Sequence, residues 1–109
     1  VKLTVGERFA ILGVLPESGD FLTLKVMRRL RESLSFEEEE MKHYGFEEKD
    51  DRLYWDEDKA GETKDFEFTE KQTELIVTAL KKLDSQKKLT EEHFSVYEKF
   101  VQDKGDGAS

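Results

Sequence analysis

The chain has 109 residues, 40% of them charged, and a formal net charge of -8, which fits one domain and gives no reason from length for a second. It contains no cysteine, so disulfides, thiolate metal sites and cysteine nucleophiles are excluded. The longest apolar run is the four residues Phe9-Ala10-Ile11-Leu12, far short of the ~20 that a membrane-spanning helix needs.

The opening residues predict a helix. Thr4 is placed to cap it, and Val5, Phe9, Leu12 and Leu15 recur at helical spacing. Pro16 ends it, because proline lacks an amide hydrogen and drives the preceding residue out of the α conformation. After a turn at Glu17-Ser18-Gly19-Asp20 a second helix is expected, with Leu24, Met27, Leu30 and Leu34 as its apolar stripe and Val26 beside it. Ser35 with Glu38 reads as a capping box for a short third helix. Phe36 and Met41 or Tyr44 would face inward there, and Gly45 would close it.

The middle changes character. Phe46-Glu47-Glu48-Lys49 and Arg52-Leu53-Tyr54-Trp55 predict two strands around Asp50-Asp51, and Lys64-Asp65-Phe66-Glu67-Phe68 alternates as a half-buried strand does. Thr69 with Gln72 caps a strong helix whose face is Ile76, Ala79, Leu80 and Leu83. Thr90 caps a last one holding Phe94, Tyr97, Phe100 and Val101. The fold class is therefore α+β: about five short helices with a small two- or three-stranded antiparallel sheet in the middle. Residues 1–102 form the domain, and residues 103–109 are expected to be a disordered tail.

The charge is uneven. Residues 1–36 carry a net of +2, residues 37–70 a net of -10 from fifteen acidic and five basic groups, and residues 71–109 a net of zero. Such a field repels phosphate backbones and favours a basic partner.

Few residues are arranged for chemistry. Asp56, Asp58, Gly61 and Glu67 match four positions of a calcium-binding loop, but Ala60 and Lys64 occupy two others and strands flank the segment, so a solvated loop is the preferred reading. His43 and His93 lie fifty residues apart in a chain with no zinc-binding spacing, and His93, following Glu91-Glu92, is expected at the surface. No nucleophile elbow or phosphate-cradling glycine motif occurs. No catalytic residue, metal ligand or cofactor is assigned. Lys25, Arg28, Arg29 and Arg31 form the one basic cluster of note; nucleic-acid binding is disfavoured there, and pairing with the acidic segment is the simpler account. Tyr54, Trp55 and Phe66 are the candidate partner-binding residues, should a sheet face be bare.

Several stretches look familiar together: Leu3-Thr4-Val5-Gly6-Glu7-Arg8, Leu15-Pro16-Glu17-Ser18-Gly19-Asp20-Phe21, Leu22-Thr23-Leu24-Lys25 and Leu34-Ser35-Phe36-Glu37-Glu38-Glu39-Glu40. With Leu80-Lys81-Lys82-Leu83-Asp84, Leu89-Thr90-Glu91-Glu92-His93 and Tyr97-Glu98-Lys99-Phe100, the chain resembles small uncharacterised proteins of bacteriophages and prophages. The resemblance implies a host-cytoplasmic setting and raises the expectation of protein binding, but assigns no residue a role. The expected function is a non-enzymatic protein-binding module, with a phage accessory or assembly factor as the form the resemblance implies, whose partner is another protein or a second copy. The alternatives are an acidic nucleic-acid-mimicking inhibitor of a host protein and a nucleic-acid binder through residues 25–31. The expected location is the cytoplasm.

Overall fold

Capping chemistry sets most of the helix boundaries in the computed structural model, which describes residues 1–102. Helix α1 (Val5–Val14) starts where the Thr4 hydroxyl accepts from the Glu7 amide while the Glu7 carboxylate accepts from the Thr4 amide. It stops at Leu15, whose ψ of 135° is the extended conformation that Pro16 demands. Helix α2 (Phe21–Leu34) starts at Asp20, which accepts from the Thr23 amide at 2.7 Å. Helix α4 (Glu70–Ser85) opens on the Thr69–Gln72 box read from the sequence.

One cap and one burial depart from expectation. Ser35 does not open α3 (Glu38–His43), because it is occupied in closing α2: its amide donates to the Arg31 carbonyl and its hydroxyl to the Glu32 carbonyl. The box moves to Glu37 and Glu40. At α5 (Glu91–Tyr97), His93 is buried, and its Nδ1 accepts from the Thr90 amide at 3.0 Å. An imidazole thus does the work a glutamate usually does in such a box, and the two preceding glutamates take the solvent instead. Helix α5 runs on as a π-helical turn over Glu98–Gln102.

Strands β2 (Glu47–Lys49) and β3 (Arg52–Tyr54) form the expected hairpin, with Asp50 and Asp51 both at positive φ in its turn. The third strand does not join them. Strand β4 (Lys64–Asp65) pairs antiparallel with β1 (Lys2–Leu3), so the sheet expected in the middle is two separate two-stranded sheets. A two-residue strand has no room for a period of two, which is why β1 left no trace in the sequence pattern.

Helix α1 is central, packing on α2, α4 and α5. Its Ile11 meets Leu30 and Leu34 of α2, Ile76 and Leu80 of α4, and Val96 of α5 in one buried cluster. Arg8 sits inside, with none of its surface exposed. Its guanidinium donates to the Leu34 carbonyl, to the Ser35 carbonyl at 2.7 Å and to Glu40 at 2.7 Å. The Phe36 ring lies 3.7 Å from it. These carbonyls end α2 and would otherwise lack donors, so one side chain fastens α2 to α3. Gly45 follows α3 at φ 66°, and a Cβ there would lie 2.9 Å from the Asp56 carboxylate oxygens.

Candidate functional site

Helix α2 is longer than the stripe it buries. Met27, Leu30 and Leu34 are buried, but the first turn carries Phe21 and Leu22, 80% and 72% exposed, and Leu24 at 40%. Leu24 was expected on the buried stripe. It is displaced because the turn at 16–20 starts α2 beyond the edge of the core, where no element of the described residues lies over it.

A groove of about 410 Å³ runs between this first half of α2 and α4, with Leu22 and Val26 on one wall and Leu75 and Thr78 on the other. A second, of about 420 Å³, continues between α4 and the end of α1, lined by Val14, Pro16, Ala79 and Leu83. Both include Leu75 and Thr78, so they form one trough along α4. From Lys71 to Gln86, at 1.5 Å per residue, it extends for about 22 Å.

The rim is mixed in charge: Asp20 and Glu74 line it with Lys71 and Lys82, and two cations of α2 stand beside it. Spacings of three and four place Lys25 and Arg29 beside Leu22 and Val26. Lys25, Arg28 and Arg29 are exposed and make no ion pair among the described residues. Lys82 lines the second groove, and Lys71 lines the first, where it pairs with Glu74 at 3.5 Å. Arg31, the fourth member of the basic cluster, points elsewhere and donates to the Pro16 carbonyl at 3.0 Å, holding the turn between α1 and α2. The expected pairing of this cluster with the acidic segment is therefore replaced. The arginine that pairs with that segment is Arg8, through Glu40.

The candidate aromatic residues are separated. Trp55 is half-buried, stacked 5.4 Å from Phe9 and near Phe46. Phe66 is buried in the main core beside Phe68 and so cannot anchor a partner. Tyr54, 48% exposed, faces solvent alone. Adjacent strand residues point to opposite faces, so Tyr54 and Trp55 could not share a surface, and Phe66 belongs to the other sheet's neighbourhood. Phe94, expected inside, is 62% exposed.

The remaining polar groups are tied into structure. His43 meets Glu62 at 2.7 Å on the surface, and the Lys59 ammonium donates to the His43 carbonyl at 2.6 Å. The loop at 56–67 is thereby folded back on α3, with a 3₁₀ turn at Glu57–Lys59. Among the described residues no three His, Asp or Glu side chains converge as a cation would require. Burial pushes the Glu7 carboxyl up, but hydrogen bonds from Lys99, the Thr4 amide and Ser95 outweigh it and hold the group below its ordinary value. The Arg8 hydrogen bond holds Glu40 low against its burial.

The trough was not read from the sequence. Its signal was an excess: with Leu22 and Val26, α2 carries more apolar residues than one stripe can take in. Among the described residues no helix is long and apolar enough to cross a membrane. No protein-family model matches the chain, and neither the curated proteins nor the solved structures contain a match to it.

Proposed function

We propose that the chain is a protein-binding module that seats an acidic, amphipathic helical segment in the trough between α2 and α4. The observation that carries this is the exposure of Leu22, 72%, at the mouth of an apolar trough whose flanking cations Lys25 and Arg29 make no ion pair among the described residues. A helix laid in a groove uses apolar anchors at spacings of three and four and sets its charges against the rim. Carboxylates would complement these cations and steer the encounter. Nucleic acid fits less well, because the apolar walls offer phosphates nothing. In the phage setting that the resemblance implies, such a module serves as an accessory or assembly factor.

The test is fluorescence polarisation with a labelled helical peptide of about four turns, leucines along one face and glutamates elsewhere, beside a second peptide with lysines for glutamates. The glutamate peptide binds and the lysine peptide does not. Leu22→Ala with Arg29→Gln weakens binding at least about tenfold. Equal binding of both peptides, or an unaffected variant, would refute the reading.

A further inference from the structure

The trough's lining carries both signs of charge, but a hollow of about 340 Å³ where α1 meets α5 carries only one. Two small residues, Gly6 of α1 and Ser95 of α5, line it and leave its space unfilled. One wall is aromatic: Phe9 and Trp55, stacked with ring centroids 5.4 Å apart. The other is acidic: Glu91 and Glu92, both exposed in the first turn of α5. Glu7 also lines the hollow, but its carboxylate is already matched by the Lys99 ammonium at 2.7 Å. Glu91 makes no ion pair among the described residues, and Glu92 has only the buried His93 ring, 3.9 Å away. No lysine or arginine of the described residues lines the hollow.

The chain itself shows what such walls hold. Arg8 lies 3.7 Å from the Phe36 ring centroid and pairs with Glu40 at 2.7 Å, an aromatic face beside it and a carboxylate at its fork. Phe36 is 4.9 Å from Phe9, so Phe36, Phe9 and Trp55 form one aromatic row. Arg8 stands at one end of the row, and the hollow opens at the other. A guanidinium suits both ends for the same reason: it is planar and weakly hydrated, and it stacks on rings while its N–H groups reach carboxylates. Tryptophan attracts a cation more strongly than the other aromatic side chains do.

We infer that this hollow receives an arginine side chain from a basic segment of another protein. A polypeptide is favoured over a free cation because the surface continues. Across Glu91 lies a further hollow of about 470 Å³, walled by Phe94 and Tyr97 and edged by Glu98, again with no lysine or arginine of the described residues in its lining. Two hollows that share one carboxylate suit two arginines of one extended segment. The net charge of -10 over residues 37–70, which include Trp55, draws such a segment in. The inference stands apart from the reading of the trough and uses none of its residues.

Trp55 is the only tryptophan of the chain, so its emission reports on the hollow directly. Calorimetry and Trp55 emission are followed as the full chain is titrated with a blocked peptide of two arginines spaced by glycines. A peptide with citrullines, which keep the shape and lose the charge, and a single blocked arginine serve as comparisons. The arginine peptide binds at micromolar to millimolar concentration, shifts the emission and weakens in high salt; the citrulline peptide does neither. Gly6→Met puts a side chain into the hollow. A Cβ at Gly6 meets only the Thr4 hydroxyl, at 4.0 Å, and methionine is the better helix former, so the variant folds while affinity falls at least about tenfold. Glu91→Gln/Glu92→Gln, at two exposed positions, weakens binding by a similar factor. Citrulline binding as tight as arginine, binding heat without a change in Trp55 emission, or affinity that both variants leave intact overturns the inference. A single blocked arginine that binds as tightly as the peptide overturns the polypeptide partner.

Discussion

The two ends of α2 are built from the same residue types and meet opposite fates. At the C-terminal end, Leu30 and Leu34 are fully buried, and the carbonyls of Leu34 and Ser35 are taken up by the buried Arg8. At the N-terminal end, Phe21 and Leu22 face solvent, and Lys25, Arg28 and Arg29 lie exposed with no ion pair among the described residues. The first end is where the chain has satisfied itself. The second has the composition of a core and a charge-paired rim, but nothing in the described chain supplies the other half. An arginine is structural or available according to whether acceptors, carboxylate or carbonyl, lie within reach in the same fold.

Breaking the satisfied end should have the largest effect. Arg8→Met strips the donors from Glu40 and from two carbonyls at the end of α2, and should cost about 3–5 kcal/mol, read as a lowered midpoint in urea. Arg29→Met, the same change at the open end, should move stability by no more than about 0.5 kcal/mol. Equal costs for the two would erase the contrast.

Gly45→Ala comes next. It forces a side chain into φ 66° and within 2.9 Å of the Asp56 carboxylate, and a loss of about 1–2 kcal/mol is expected in the same urea titration. Because Gly45 joins α3 to the hairpin, peptide binding at the trough should be untouched.

Acid sharpens the comparison further. Glu7 and Glu40 both titrate below their ordinary value of 4.5 in the folded chain. The unfolded chain therefore binds protons more readily than the folded one. The stability these groups supply is complete above that ordinary value and is lost as pH falls through the lower folded values. Urea midpoints should decline below about pH 4.5, and Glu40→Gln should flatten the decline. A slope unchanged in that variant would show that Glu40 is not the group being titrated. The smallest effect on stability is expected at the open end: Leu22→Ser should leave the urea midpoint within about 0.5 kcal/mol of wild type while weakening the glutamate peptide.

Helices were legible in the sequence wherever one local device defined them. Thr4, Pro16 and Thr69 each act within four residues, so their effects survive any tertiary arrangement. The hairpin was legible for the same reason. What escaped was anything decided at a distance. Strand β4 reaches back to β1 near the start of the chain, and Phe66 is buried by helices far along it. The trough escaped in another way. Its residues were all visible as apolar or basic, but periodicity assigns side chains to a face without saying whether anything lies opposite.

The Lys99 ammonium donates both to the Lys2 carbonyl and to Glu7, each at 2.7 Å. This clasp joins positions 97 residues apart, so its loop closes only when nearly the whole domain is in hand. During synthesis α1 would emerge first and wait, its buried face open to water, until α4 and α5 arrive to cover it. Folding should therefore commit late and as a unit, and a ribosome paused before residue 99 would hold a chain exposed to aggregation rather than a half-built domain.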